Sequence, residues 1–457
     1  MGHTCMRVGR LKVLLIKNAR IWTNDGRLIE RGFVSVKNGV IEAVGPLAQL
    51  DEKTVKREQE FDARGQLLMP GLVNAHTHLY SYLARGMALS GVEPYSFRDI
   101  LEQIWWRLDK ALDAQSTYYS GLVGAAEMLK SGVTTLIDHH ASPGAIGGSL
   151  RQLQRAVVDE LGLRACLCYE ITDRNGAKGS QAGIRENLEY FDHVVKTKDD
   201  RLGAVVGLHA SFTVSDKTFR KLSDAIERRQ VGYHIHGAEG PEDPVDAAAN
   251  YKKRTIVRLR DLGILGEKTI VAHGIHLSEP EKDLLAEHDC IVAHQPQSNM
   301  NNAVGSADVL GLLARKVLVG LGNDGFGSNL LDDLKAAYLL QKHAHGDPKA
   351  LGMGQAHQIF FDNNYRIAKR FFGAKLGKVS PGYQADLILV EYDPPTPLHA
   401  SNVMGHFLFG LCSRFDVVSA FVKGKLVMQD RQVLGVDLER AYANARQQAK
   451  ALWKRIV

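Results

Sequence analysis

Residues 68–78 read Leu-Met-Pro-Gly-Leu-Val-Asn-Ala-His-Thr-His. An apolar run follows the Pro70-Gly71 turn and ends on two histidines, His76 and His78. Residues two apart on a strand share a face, so both imidazoles point the same way. The stretch therefore predicts a buried strand that presents two rings at its carboxyl end. Taken alone, a His-x-His pair is more often structural than metal-binding.

Three later stretches place a polar side chain in the same way. They are His-Ile-His-Gly-Ala-Glu at 234–239, Val-Ala-His-Gly-Ile-His at 271–276 and Leu-Gly-Asn-Asp-Gly at 321–325. Each stands at the end of a short apolar run. A metal centre at the mouth of a parallel barrel collects its ligands from the ends of several strands. This pattern predicts one divalent ion, zinc or alternatively iron, with the ligands His76, His78, His236 and Asp324.

Two further residues would carry the chemistry beside such an ion. Glu239 follows His236 by three positions and is predicted to be a general acid/base next to a metal-bound water. His273 is predicted to polarise the bond under attack, and Asp324 to act in proton transfer as well as in binding. His234 shares a strand face with His236 and competes for the ligand position. We favour His236 because it lies nearer the strand end and has the Glu239 spacing.

The fold class follows from the rhythm of apolar runs. From Met69 onward, strands alternate with amphipathic helices, which predicts a (β/α)8 TIM barrel, an α/β fold. Both chain ends instead show short strands and turns, which predicts a small β-sandwich domain formed by the two ends. The predicted division is a β-sandwich from 1–69 and 377–437, a metal-dependent barrel from 70–376, and a carboxyl-terminal helix from 438–457. The barrel strands are predicted to end near His78, His140, Glu170, Ser211, Glu239, His273, Gln295 and Asp324.

Composition narrows the classes of protein. The chain of 457 residues has a net charge of +6 that is not gathered into a basic stripe, which argues against a nucleic-acid partner. The apolar stretches are shorter than a membrane span, so no membrane association is expected. Five cysteines form no Cys-x-x-Cys pair, which fits a reduced, cytoplasmic protein.

The motifs resemble those of the amidohydrolase superfamily, in its cytosine-deaminase and chlorohydrolase-like branch. At finer grain, residues 74–86, 138–143 and 295–302 are similar to SsnA-type aminohydrolases. The resemblance implies the ligand set above, Glu239 as proton shuttle, and a homodimer. It also implies a single metal, because the third and fourth barrel strands end without the lysine of two-metal relatives, although Glu170 could bridge a second ion. Asn323 stands where such relatives commonly carry threonine.

These observations predict a hydrolase acting on carbon–nitrogen bonds outside peptides. The expected reaction is hydrolytic deamination of an amino-substituted nitrogen heterocycle, purine- or pterin-like, by a metal-bound hydroxide. The alternatives are ring opening of a cyclic amide, dechlorination on the same scaffold, or a non-catalytic accessory role in purine catabolism. The expected substrate contacts are His209, His140, His139 and Arg85.

Overall fold

The computed structural model describes residues 13–51 and 59–456. Strands occur in the amino-terminal part of the chain, in its centre, and again before the last helix. In chain order, the strands are Leu14–Trp22 (β1), Leu28–Lys37 (β2), Val40–Pro46 (β3), Gln59–Asp62 (β4), Leu67–Pro70 (β5), Leu72–Thr77 (β6), Val133–His140 (β7), Arg164–Tyr169 (β8), Leu202–Ala204 (β9), Val206–Ala210 (β10), Tyr233–Gly237 (β11), Thr269–His273 (β12), Ile291–His294 (β13), Leu318–Leu321 (β14), Leu387–Glu391 (β15), Asp416–Val422 (β16), Lys425–Gln429 (β17) and Gln432–Val433 (β18).

Helices separate the central strands. The α-helices are Phe97–Ile100, Trp106–Ala111, Ala114–Lys130, Ser149–Gln154, Gly176–Thr197, Asp216–Ile226, Glu242–Tyr251, Thr255–Asp261, Glu279–Glu287, Pro296–Asn301, Val309–Ala314, Leu330–His345, Met353–His357, Asn363–Phe372, Val403–His406 and Leu438–Arg455. π-Helical segments at Leu101–Trp105, Arg155–Glu160, Gln358–Asp362 and Phe407–Leu411 continue four of them.

The central strands form a parallel barrel. One sheet runs β6-β7-β8-β9 and the other β10-β11-β12-β13-β14. Backbone hydrogen bonds join the two sheets at both seams: Asp324 donates to the His76 carbonyl at 3.1 Å, and His209 donates to the Ile171 carbonyl at 3.0 Å. The predicted (β/α)8 fold is therefore confirmed, with the short strands β9 and β10 together in the fourth position, and each of the eight predicted strand ends lies within three residues of an observed one.

Burial explains why these runs form parallel strands. Every residue of β6, β7 and β8 is buried, as expected when helices cover a sheet from outside and side chains fill it from inside. Val133 and Thr134 are β-branched residues of β7, where their stiff side chains suit a pleated surface. The histidines of β6 and β7 lie towards the carboxyl ends of these strands, and His139 and His140 are the last two residues of β7.

Strands from the two chain ends meet in one sheet. Among the described residues this sheet has nine strands, in the order β18-β17-β16-β15-β5-β1-β2-β3, with β4 also paired to β1. β15 lies antiparallel to β5, so the carboxyl-terminal part of the chain pairs with the segment that leads into the barrel. The sheet has its own apolar core, which includes Ile16, Val34, Leu389 and Phe421. This arrangement supports the division into a composite β layer and a barrel, which we retain as a proposal.

A buried ion pair connects the two layers. Arg164 opens β8 and is fully buried, and its Nε donates to Asp386 Oδ2 at 2.5 Å. Asp386 immediately precedes β15 and also accepts from the Lys423 backbone N–H at 2.8 Å. Removing one partner of such a pair would leave an uncompensated buried charge, so the pair fixes how the layers meet.

The last helix packs against the barrel. Leu438–Arg455 contacts Ala114–Lys130, and Trp453 Nε1 donates to the Leu83 carbonyl at 2.7 Å. No helix in the described ranges combines the length and the apolar character needed to cross a membrane.

Candidate active site

The predicted ligands meet at the carboxyl-terminal mouth of the barrel. His76 lies on β6 and His78 just after it, His236 lies on β11, and Asp324 follows β14. Asp324 Oδ1 is 2.9 Å from His78 Nε2 and 3.2 Å from His76 Nε2. His78 Nε2 and His236 Nε2 are 3.1 Å apart. Bonds of about 2.0–2.2 Å to a tetrahedral zinc ion would hold donor atoms roughly 3.4 Å from one another, so this donor set fits a metal ion.

The outer ring nitrogens are fixed by hydrogen bonds. His78 Nδ1 donates to the His139 carbonyl at 2.5 Å, and His236 Nδ1 donates to the His209 carbonyl at 2.8 Å. A carbonyl only accepts, so Nδ1 carries the hydrogen in both rings and Nε2 offers a lone pair. Two lone pairs and the Asp324 carboxylate then face one point. A proton or a metal cation must fill this point for the site to be stable.

His234 lies behind His76 rather than beside it. Its Nε2 is 2.8 Å from His76 Nδ1, on the opposite side of the ring from Asp324. His234 therefore orients His76, in the way that second-layer groups orient metal-binding histidines. Between the two candidates weighed from sequence, only His236 reaches the meeting point.

A second donor group overlaps the first. His139 and Glu170 come within ligand distance of His78 and His236, and His139 Nδ1 is 3.1 Å from Glu170 Oε1. His78 and His236 each have one free nitrogen, because the other is bound to a carbonyl. By distance His273 also joins His76, His236 and Asp324, and both groups need the one free nitrogen of His236, so they cannot both be complete.

Backbone strain marks the chemical residues. His273 has a φ of +74° and Asp324 a φ of +57°, in the left-handed region of backbone conformation that residues other than glycine rarely adopt. Ala238, between His236 and Glu239, has φ +53°. The left-handed turn there brings Glu239 back to the cavity after β11 has ended. Such conformations cost about 1–3 kcal/mol each and cluster at functional sites.

Glu239 and His273 are paired beside the meeting point. Glu239 Oε2 is 3.3 Å from His273 Nε2. Burial, and next the charge of Asp324, raise the pKa of Glu239 well above its usual value. Burial also lowers the pKa of His273, and its Nδ1 pairs with Asn299 Oδ1 at 2.8 Å. With Nδ1 engaged by Asn299, Nε2 is the ring nitrogen that faces Glu239.

A cavity of about 240 Å³ opens above these groups. His78, His236, Glu239, His273 and Asp324 line its floor. Aromatic and aliphatic side chains form much of its outer wall, including those of Phe97, Leu101, Trp105, Trp106 and Phe212. Tryptophans at such positions usually pack into a hydrophobic core, but Trp105 and Trp106 also line this cavity.

The structure places the four expected substrate contacts differently from one another. His209 lines the cavity, with Nδ1 held by Thr213 Oγ1 at 2.7 Å. His139 and His140 are fully buried beneath the floor, where His140 Nε2 pairs with Ser142 Oγ at 2.8 Å. Arg85 lies outside the cavity lining, exposed and paired with Glu127 at 2.9 Å.

Sequence reasoning missed two side chains that act on the floor. Ser298 Oγ donates to Asp324 Oδ2 at 2.5 Å, which leaves Oδ1 for the meeting point. Asn299 holds His273 as described above. Both belong to the unusual segment Gln-Pro-Gln-Ser-Asn-Met-Asn-Asn at 295–302, whose composition was the available signal.

The charges of the metal-free site predict how it binds a cation. Burial opposes protonation of His78, but the charges of Asp324 and Glu170 outweigh it and raise the pKa of His78 to about 10. Burial lowers the pKa of His76 to about 3. Asp324 is also buried, yet the charge of His78 holds the pKa of Asp324 well below its usual value. Near neutral pH one proton, on His78, therefore fills the meeting point.

We expect zinc to bind at one ion per chain and to displace about one proton. Below about pH 7, where His78 is protonated in the metal-free protein and a zinc-bound water is not ionised, zinc affinity should rise roughly tenfold for each unit of increasing pH. Calorimetry at pH 6 in buffers of different ionisation enthalpy measures both the stoichiometry and the proton release. That pH lies below the pKa of about 7 typical of zinc-bound water, so the water should not contribute. Two ions per chain, or no proton release, would contradict this description.

Comparison with known proteins agrees with the fold. The sequence model described as "Amidohydrolase family" matches residues 67–427. The chain is 31% identical over 443 residues to a 5-methylthioadenosine/S-adenosylhomocysteine deaminase of Desulforudis audaxviator, covering 96% of this chain and 99% of that one. It is 30% identical over 449 residues to a 5'-deoxyadenosine deaminase of Methanosarcina mazei, covering 97% of this chain and 99% of that one.

Solved structures show the same architecture. A crystal structure of an adenosine deaminase from Xanthomonas campestris with bound zinc superposes with a TM-score of 0.83 at 26% identity, covering 96% of this chain and 98% of that one. Atrazine chlorohydrolase TrzN from Arthrobacter aurescens, complexed with zinc, gives a TM-score of 0.80 at 21% identity, covering 95% of this chain and all of that one. The second similarity concerns the fold alone.

Proposed function

The chain belongs to the amidohydrolase family, and we propose that it is a metal-dependent aminohydrolase. In this proposal it replaces the ring amino group of a purine- or pterin-like heterocycle by oxygen, using one water and releasing ammonia. The convergence of three Nε2 atoms and one carboxylate beneath a cavity, with Glu239 beside them, is the observation that carries it.

We propose that His76, His78, His236 and Asp324 hold one metal ion, and that this ion is zinc. The zinc in the Xanthomonas campestris adenosine deaminase supports this choice. When bound, the ion would lower the pKa of a coordinated water towards neutrality and so supply a nucleophile. His139 and Glu170 would remain behind the ligands and orient them.

Glu239 is the proposed carrier of protons. Its raised pKa suits a group that must both accept and donate a proton near neutral pH. Glu239 would take a proton from the attacking water and deliver it to the ring nitrogen next to the amino-bearing carbon. His273 would orient Glu239 or the water, or polarise the bond under attack, through its Nε2. Asp324 would take the second proton, from the hydroxyl added to the ring carbon, and pass it to the departing amino group, which leaves as ammonia.

Relatives narrow the substrate. The two relatives that are about 30% identical are named as deaminases of 5-methylthioadenosine and S-adenosylhomocysteine, and of 5'-deoxyadenosine. We therefore propose an adenine-like ring as the first substrate to test. The apolar outer wall of the cavity would contact substituents remote from the amino group.

Product analysis tests the reaction. The zinc-loaded protein is incubated with aminopurines and their nucleosides, pterins, aminopyrimidines, triazines and cyclic amides, and the products are identified by mass spectrometry. Exchange of an amino group for oxygen with release of ammonia is expected. Addition of a whole water would indicate ring opening, and release of chloride would indicate dechlorination. Absence of any turnover with metal bound would favour the accessory role.

Location and assembly remain part of the proposal. The four cysteines in the described part of the chain are free and buried, which supports a reducing, cytoplasmic setting. A homodimer is the proposed assembly, and light scattering of the purified protein measures it.

A further inference from the structure

Five acidic side chains and four histidines line the active-site cavity. Within residues 13–51 and 59–456, no lysine or arginine borders it. This is unexpected for a chain with 57 lysines and arginines against 51 aspartates and glutamates. The carboxyl groups that border the cavity are those of Asp109, Glu170, Glu239, Asp243 and Asp324.

The wall beside the metal-binding floor holds two acids that the proposed reaction does not use. Arg174 lies behind them, with Nη1 3.4 Å from Asp109 Oδ2 and Nη2 3.6 Å from Glu170 Oε2. Its guanidinium also stacks on the Trp106 ring at 4.6 Å. Arg174 is thus engaged by two carboxylates and a ring, and it does not reach the cavity surface to pair with a ligand anion.

Two carboxyl oxygens of these lining residues have no hydrogen-bond donor. Asp109 is 2% exposed and its Oδ1 has no hydrogen-bond partner, and Asp243 Oδ1 is also buried without a partner. A ligand carboxylate or phosphate placed nearby would lose its water without gaining a lysine or arginine partner, and it would lie beside carboxyl groups in surroundings of low polarity. A hydrogen-bond donor or a cation would instead be accepted.

We infer that the cavity admits uncharged or cationic heterocycles and excludes those that carry a carboxylate or a phosphate. This inference rests on the proposed function, because it concerns the substrate of the same site. The name of one relative combines two substrates, 5-methylthioadenosine and S-adenosylhomocysteine, and the inference predicts different results for them. Methylthioadenosine has no anionic group and should be accepted, whereas S-adenosylhomocysteine carries a carboxylate and should be a poor substrate.

Matched pairs of ligands, one with a carboxamide and one with a carboxylate, test the effect of the ligand's negative charge alone. Adenosine 5'-carboxamide and adenosine 5'-carboxylate have nearly the same shape, as do the 6-carboxamide and 6-carboxylate of pterin. For each pair, both kcat/KM with the zinc-loaded enzyme and equilibrium binding to the metal-free protein are measured. We expect the acid to be at least about 100-fold weaker than its amide in both measurements.

A rim substitution tests whether charge causes the difference. Phe326 lines the cavity and is 47% exposed, so it can be replaced with little risk to folding. Phe326→Arg should narrow the amide-to-acid ratio by at least about tenfold. The matched variant Phe326→Leu removes the ring without adding charge and should leave the ratio unchanged.

The outcomes separate this inference from the proposed function. An acid that is used or bound as well as its amide overturns the inference, even if deamination is observed. A ratio that Phe326→Arg leaves unaltered also overturns it, because the discrimination would then not be electrostatic. Amides that bind well and acids that do not, without any deamination, support the inference and contradict the proposed reaction. Failure of every amide to bind contradicts both.

Discussion

Glu239→Gln is expected to lower kcat by about 10²–10⁴-fold while leaving zinc bound at one ion per chain. Glutamine has nearly the size of Glu239, and burial already raises the pKa of that carboxyl and disfavours its charged form, so the loss of charge should be tolerated. The fold and the metal site should therefore be preserved. An amide cannot shuttle a proton, so only the chemical step should fail. Steady-state kinetics on the identified substrate, with metal analysis of the same preparation, measures both effects.

Glu242→Gln is the matched control. Glu242 lies three residues further along the chain, does not line the cavity, and accepts from the Arg98 backbone N–H at 3.3 Å. Glu242 is partly buried but lies outside the cavity lining, so the same change there should leave kcat within about twofold. A Glu239→Gln enzyme that keeps more than a tenth of the wild-type rate would remove Glu239 from the proton transfer.

The barrel could be predicted because its signals are local. The run Val133–Asp138 contains β-branched and apolar residues that predict a buried strand, and the observed strand extends only two residues further, to His140. The joining of the chain ends was predicted from repeated strand-and-turn patterns. The contact between Arg164 and Asp386 could not be predicted, because 222 residues separate the partners and neither one lies in a distinctive motif.

The residues that form the site could be predicted from sequence, but the orientation of their side chains could not. Spacing and strand ends identified His78 and His236, yet the free nitrogen of each ring is set by a backbone carbonyl of a neighbouring strand. No sequence pattern encodes that contact. The direction of the chain after His78 could not be predicted either. The 3₁₀ turn at Leu79–Ala84 places Arg85 beside Glu127 on a helix and not over the cavity.

The carboxylate of Asp324 connects metal binding to proton balance, which makes it the most informative ligand to change. Its Oδ1 faces both His76 and His78, and its charge is what raises the pKa of His78 to about 10 against the opposing effect of burial. Its Oδ2 accepts from Ser298, a contact that an amide oxygen can keep. Asn at this position should therefore fold correctly and lose only the charge.

We expect Asp324→Asn to weaken zinc binding by at least about 100-fold, since even second-layer substitutions cost about 10–100-fold. Turnover at saturating zinc should fall by about 10²–10⁴-fold, because the variant also lacks the proposed proton donor to the departing amino group. The proton released on zinc binding should also fall from about one towards zero, since His78 is no longer held protonated. A merely structural role for Asp324 would not change the proton count.

The exposed Asp332 provides the control for this experiment. Its Oδ1 accepts from Asn329 Nδ2 at 3.0 Å on the outside of the barrel, so Asp332→Asn makes the same change of charge away from the site. Zinc affinity, proton release and kcat should all match the wild type in this variant. If Asp324→Asn instead binds zinc with unchanged affinity, the second donor group must hold the ion through His139 and Glu170. Zinc affinity distinguishes the two sites, because the second group does not include Asp324.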